Sequence, residues 1–142
     1  MLVFCDLDNT LANNDARWAK YKETGDLNDI HSMEAVMTDK LIWQTCETIE
    51  SLNNNNNMIV ILTARHEFDR EVTEAWLKKT EIHYSDLILA HDDDERPAKD
   101  FKLWEIDNHK WLKDYGAILV LEDNPEIVQH LREHGYTVFQ VK

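Results

Sequence analysis

The sequence predicts an α/β fold with five strands, and three observations carry that prediction. Apolar runs of four or five residues recur along the chain, continuous rather than alternating. Such runs suit strands buried on both faces of a parallel sheet. Helical stripes separate the runs, and strands alternating with helices build right-handed βαβ units. Glycine (3) and proline (2) are scarce, which disfavours a sandwich or barrel with a turn roughly every 8–12 residues.

Taken in order, Met1–Cys5 (MLVFC) is the first strand and ends abruptly at Asp6. Residues 12–32 show no clear periodicity and read as a flap or small cap insertion, partly helical around Arg17–Lys22. Ile42, Cys46, Ile49 and Leu52 fall at helical spacing. The run Asn53–Asn57 reads as a polar loop, because asparagine tolerates left-handed backbone. Met58–Leu62 (MIVIL) is the second strand and ends at Thr63; Phe68, Val72, Ala75 and Trp76 mark the next helix. Leu87–Ala90 is a third strand, and His91–Glu95 reads as a solvated acidic loop. Lys99–Asp114 carries Phe101, Trp104 and Trp111 as a further helix. Ala117–Leu121 (AILVL) is a strand ending at Glu122 and Asp123. In Pro125–His134, Pro125 fits the first helical turn and Gly135 the C-terminal cap, ahead of a last strand in Tyr136–Val141. The five tryptophans are expected as core or edge packing, and Cys5 as a small buried apolar residue.

A length of 142 residues is that of one domain spanning 1–142. Hydrophobic residues at 43% and charged residues at 30% exclude global disorder. No apolar run approaches the roughly 20 residues of a membrane-spanning helix, and the opening run reaches Asp6 too soon for a signal peptide. Two cysteines, Cys5 and Cys46, cannot make a disulfide framework or a four-cysteine zinc site, so a reducing cytoplasm is expected. With 28 acids against 15 bases the net charge is −13, a field that opposes non-specific nucleic-acid binding.

Three strand runs end in polar residues: Asp6, Thr63 and the Glu122–Asp123 pair. In open α/β sheets ligands bind outside the carboxyl ends of strands, so these ends converge if the three strands are neighbours. Asp6-Leu7-Asp8-Asn9-Thr10 is the sharpest signal. It is not a calcium loop, since Leu11 stands where glycine is needed and Arg17 where a bidentate glutamate is needed. Two carboxylates directly after a buried strand are costly unless compensated, which points to a metal or catalytic role.

A strand ending in Asp-x-Asp-x-Thr resembles motif I of the haloacid dehalogenase-type phosphotransferases. Thr63 resembles their motif II, and Glu122–Asp123 their motif IV. Thr63-Ala64-Arg65, Arg96-Pro97 with Lys102, and Leu121-Glu122-Asp123 followed by Ile127-Val128 and Gly135 are similar to the phosphatase domain of polynucleotide kinase and its stand-alone phage and bacterial relatives. The resemblance implies a Rossmann-like sandwich with strand order 3-2-1-4-5 and a minimal cap. It implies Asp6 as nucleophile forming an aspartyl-phosphate, and Asp8 as acid and then base, its carbonyl reaching the metal. Thr63 and Ala64 would bind phosphate and Arg65 would clamp it. A helix N-cap is the other use open to Thr63. Lys102, with Lys99 as the weaker candidate, would neutralise the aspartyl-phosphate. A carboxylate facing a phosphate dianion meets repulsion of roughly 8 kcal/mol at about 4 Å and an effective dielectric near 20, so Mg2+ is implied, held by Asp6, Asp8, Glu122 and Asp123. The relatives usually carry Asp-Asp where Glu122–Asp123 stands, and whether Glu122, Asp123 or Asn124 ligates directly stays open.

The function so implied is Mg2+-dependent phosphate monoester hydrolysis, first of a nucleic acid 3′-phosphate end. A 5′-nucleotidase or other small-metabolite phosphatase is the alternative, and a weakly active ion- or partner-binding module is a second. The insertion over residues 12–32 is only about twenty residues long, too few for a separately folded cap. An open site favours a polynucleotide end, provided Arg17, Arg65, Arg96 and Lys102 gather at its mouth against the net charge. No membrane and no obligate protein partner is inferred.

Overall fold

The computed structural model describes all residues, Met1–Lys142. In chain order its elements are β1 (Leu2–Cys5), β2 (Ala12–Asn13), α1 (Asp15–Thr24), α2 (Asn28–His31), α3 (Met33–Val36), β3 (Lys40–Leu41) and α4 (Trp43–Asn54). They continue with β4 (Met58–His66), α5 (Arg70–Lys79), β5 (Asp86–Ala90), α6 (Ala98–Asp107), β6 (Ile118–Glu122), α7 (Pro125–Glu133) and β7 (Thr137–Gln140). The main sheet has order β5-β4-β1-β6-β7, all parallel. Among its own strands this is the order 3-2-1-4-5. No helix is long and apolar enough to cross a membrane.

Continuous apolar strands make sense because alternate side chains go to opposite faces, and helices cover both. On one face Val3, Cys5, Ile59, Ile61, Leu119 and Leu121 pack with Cys46 and Ile49 of α4 and Trp76 and Leu77 of α5. On the other, Leu2, Phe4, Val60, Leu62 and Val120 pack with Phe101 and Ile106 of α6 and Ile127, Val128 and Leu131 of α7. Each fully buried Leu or Ile contributes about 1.5–3 kcal/mol relative to an exposed one. The register aligns Cys5 with Ile61 and Leu121, so the residues that follow them reach the same edge.

Several expectations are corrected. The insertion after β1 runs beyond 32, because β2 pairs antiparallel with β3 at Lys40–Leu41 and α1, α2 and α3 lie between. The helix expected around Arg17–Lys22 is α1, but two-residue strands and the one-turn helices α2 and α3 leave no periodicity to read. The strand at Met58 continues past Thr63 to His66, its pairing with β5 shifting register between Leu62 and His66. The helix expected over Lys99–Asp114 stops at Asp107, where the Asn108 amide bonds back to the Trp104 carbonyl at 2.8 Å. Phe68 precedes α5 in a short 3-10 turn and is exposed. Of the tryptophans only Trp76 is fully buried; Trp43 and Trp104 are 66% and 52% exposed, outside the packing role expected of them. The asparagine run ends α4, and Asn56 takes the left-handed φ of 61°. Gly135 follows α7 with φ 90°, a conformation that glycine adopts without a side-chain penalty.

Candidate active site

Asp6 continues the pairing of β1 with β6, its N–H donating to the Leu121 carbonyl at 3.0 Å. This main-chain tie fixes a 7%-exposed carboxylate at the carboxyl edge of the sheet. Asn9, with φ 62°, turns the chain sharply after it. The turn brings back Thr10, whose hydroxyl lies 3.3 Å from Asp6 Oδ2 and 3.1 Å from Asp123 Oδ1. From the opposite side α6 delivers Lys102, buried, with Nζ 2.7 Å from Asp6 Oδ1 and 2.5 Å from Glu122 Oε2. Carboxylate oxygens of Asp6, Glu122 and Asp123 all lie within 4.8 Å of one another.

This half of the site is short of positive charge, with three carboxylates facing one ammonium. Burial pushes the Asp6 carboxyl up, with Glu122 and Asp8 adding to the shift and Lys102 opposing it. Burial works against the Lys102 charge, but Asp6 and Glu122 overcome it and hold its pKa above the usual range. Glu122 is fully engaged: Oε2 takes Lys102, and Oε1 accepts from the Asn124 N–H at 3.1 Å. Asn124 caps α7, its Oδ1 accepting from Glu126 and Ile127 with Pro125 in the first turn. Asp123, partly exposed, receives only the Thr10 hydroxyl on its side chain.

The other half is electrically balanced. Arg65 grips Asp8 with both arms, Nε to Oδ2 at 2.9 Å and a terminal nitrogen to Oδ1 at 2.6 Å. Arg17 reaches Asp8 Oδ1 at 3.3 Å, and the Asn14 amide does so at 3.0 Å. Burial opposes ionisation of Asp8, yet Arg65, Arg17 and Asn14 together hold its carboxyl below the usual range. Behind them sits Asp39, whose side chain is wholly buried. Its Oδ1 accepts from Arg17 Nε at 2.8 Å, and its Oδ2 lies 3.4 Å from Arg65. Burial pushes the Asp39 carboxyl up against the pull of both guanidiniums. The Trp76 indole N–H donates to the Asp39 carbonyl at 3.1 Å, tying the end of the insertion to α5.

Thr63 is buried, and its hydroxyl accepts from the Arg65 N–H at 3.2 Å rather than capping a helix, since β4 runs on to His66. Thr63, Ala64 and Arg65 line one cleft of about 390 Å³ with Asp6, Asp8, Arg17, Lys102, Glu122 and Asp123. Arg96 is not brought there. It turns to Asp94 at 2.7 Å and lies over the rings of Phe101 and Trp104, because its loop neighbour offers a nearer carboxylate. Lys99 pairs with Glu126 at 2.7 Å on the surface and takes no part. Arg17 belongs to the wall of the cleft rather than its mouth, being 6% exposed and donating also to the Ile30 carbonyl. Sequence reasoning missed Asp39 and Asn14. Neither stands in a motif, and only the folding of the insertion brings them to Asp8.

No curated protein matches the chain by sequence. Among solved structures, a chain of the Pnkp1/Rnl/Hen1 complex superposes with a TM-score of 0.80 at 24% identity, over 99% of this chain and 45% of that one. A chain of the Pnkp1/Rnl/Hen1 RNA repair complex gives 0.79 at 24% identity, over 99% and 42%. This chain therefore spans less than half the length of either. A hydrolase from Streptococcus pneumoniae TIGR4 gives 0.66 at 13% identity, over 99% and 91%. At these identities the likeness is one of fold. Sequence carries the assignment further, for residues 1–142 match one family along their whole length, and the chain belongs to the polynucleotide kinase PNKP phosphatase domain family.

Proposed function

We propose that this domain hydrolyses phosphate monoesters with Asp6 as nucleophile, and that its substrate is a 3′-phosphorylated nucleic acid end. The observation that carries the chemistry is the buried Asp6 carboxylate at 2.7 Å from Lys102, in a cleft shared with Thr63 and two buried arginines. The end-directed substrate rests on the family match and on the open, arginine-walled cleft.

The donor set fits magnesium. It is all oxygen, and it carries an excess of two negative charges over Lys102. Asp6 and Asp123 would hold the ion, together with the Asp8 carbonyl that the family resemblance assigns to it. Glu122 stands in the same carboxylate cluster, and its Oε2 also holds Lys102. The ion, when bound, supplies the charge that offsets repulsion between Asp6 and the incoming phosphate.

In the first step an Asp6 carboxylate oxygen bonds to phosphorus, the ester P–O bond breaks, and the leaving oxygen takes a proton from Asp8. In the second, water gives a proton to Asp8 and attacks phosphorus, and the P–O bond to Asp6 breaks to free phosphate. Lys102 faces Asp6 throughout. Asp8 is gripped by Arg65 and held below the usual carboxylate range in the free protein, so before the first step Arg65 must let go and Asp8 must take up a proton from solvent. A substrate phosphate, itself a bidentate acceptor with more charge than one carboxylate, would compete with Asp8 for Arg65.

The test compares a short 3′-phosphorylated oligonucleotide with a 3′-mononucleotide, with magnesium and in EDTA. The oligonucleotide is expected to react faster at low salt, with the advantage shrinking as salt rises and no turnover in EDTA. Faster turnover of the mononucleotide would assign the domain to small nucleotides.

A further inference from the structure

We propose that Phe68, bracketed by His66 and His31, is a stacking platform for the nucleobase of the nucleotide whose phosphate meets Asp6. The proposal rests on the nucleic-acid-end reading above. Phe68 is 58% exposed, yet it lines the same cleft as Asp6 and stands three residues after Arg65. None of the hydrolytic steps uses it.

Its setting is that of a fixed ring rather than a loose surface residue. The Phe68 ring is parallel to that of His66, with centroids 5.8 Å apart, and forms a T-shaped pair with His31 at 5.1 Å. Its main-chain N–H donates to Asp92 Oδ1 at 2.9 Å. His31 is anchored in turn, with Nδ1 3.1 and 3.0 Å from the two oxygens of the buried Asp69. The insertion supplies His31 and the strand side supplies His66, so the ring is braced from both walls. A ring ordered before binding loses little conformational freedom when a base stacks on it. One cleft thus holds phosphate-binding groups and a braced, exposed aromatic ring together, the two kinds of group that the phosphate and the base of one nucleotide call on. Stacking uses the π-face that every base has, so the platform accepts any base.

The experiment measures kcat/KM for two oligonucleotides, one ending in a normal 3′-phosphorylated nucleotide and one in an abasic sugar 3′-phosphate. Wild type, Phe68→Ala and Phe68→Tyr are compared. Wild type is expected to prefer the base-bearing end by roughly 5- to 150-fold, Phe68→Tyr to keep that preference, and Phe68→Ala to lose it. The exposed position lets the alanine variant fold, which circular dichroism checks. An equal preference in wild type and Phe68→Ala, or none in wild type, overturns the platform while leaving the phosphatase reading standing. If p-nitrophenyl phosphate is hydrolysed but neither oligonucleotide is, the nucleic-acid reading fails and the platform with it.

Discussion

At the scale of single residues, the site divides into a lysine half with excess negative charge and an arginine half in balance. Asp39 is what makes the second half possible, since one buried carboxylate faces two buried guanidiniums. Removing one partner of a buried charge cluster leaves the others uncompensated. Asp39→Ala is therefore expected to lower stability by about 3 kcal/mol, measured by urea unfolding; a change under about 0.5 kcal/mol would mean the arginines do not need it. Asp8 carries a different expectation. In its proposed role of protonating the leaving oxygen, it matters most when that oxygen is basic. Asp8→Asn should thus slow an alkyl phosphate by orders of magnitude more than p-nitrophenyl phosphate, and equal losses in steady-state assays would count against the role.

At the scale of elements, the strands were legible because each is an apolar run ending in a polar residue, and the sheet order followed from the resemblance those ends carry. The ends of α7 were legible too, through Pro125 and Gly135. What stayed hidden is the extent of the insertion beyond α1 and what ties it together. Its two-residue strands and short helices hold together through Arg17, Asp39, His31 and Asp69, contacts made across 22 to 38 positions of sequence, and pattern reading sees only local periodicity. Arg96 failed for a local reason, as Asp94 two residues away claims it. Asn124, which the sequence left open as a ligand, caps α7 with its side-chain oxygen. Asn124→Ala should destabilise the domain by about 1 kcal/mol in thermal or urea unfolding, and magnesium should still raise the melting temperature of the variant. Loss of that magnesium response would return Asn124 to the ligand set.

At the scale of the whole molecule, the proposed chemistry requires a chain of net charge −13 to bring an anion to a carboxylate. The structure answers with placement: Lys102, Arg17 and Arg65 are buried at the carboxyl edge of the sheet, where they act in a medium less screened than the surface. Magnesium held by the proposed ligands would complete that arrangement only in the folded state and should raise the melting temperature by mass action. Asp123→Ala should abolish the shift seen by differential scanning calorimetry, and a shift that persists would place the ion elsewhere. The central claim is that Asp6 itself carries the phosphoryl group. The direct measurement is acid quenching during turnover of a 3′-phosphorylated oligonucleotide labelled in the phosphate, followed by peptide mapping after borohydride reduction. The account predicts label on the protein that hydroxylamine releases, and conversion of position 6 to homoserine. Absence of labelled protein on the timescale of turnover, or reduction at Asp8 or Asp123 instead, would contradict it.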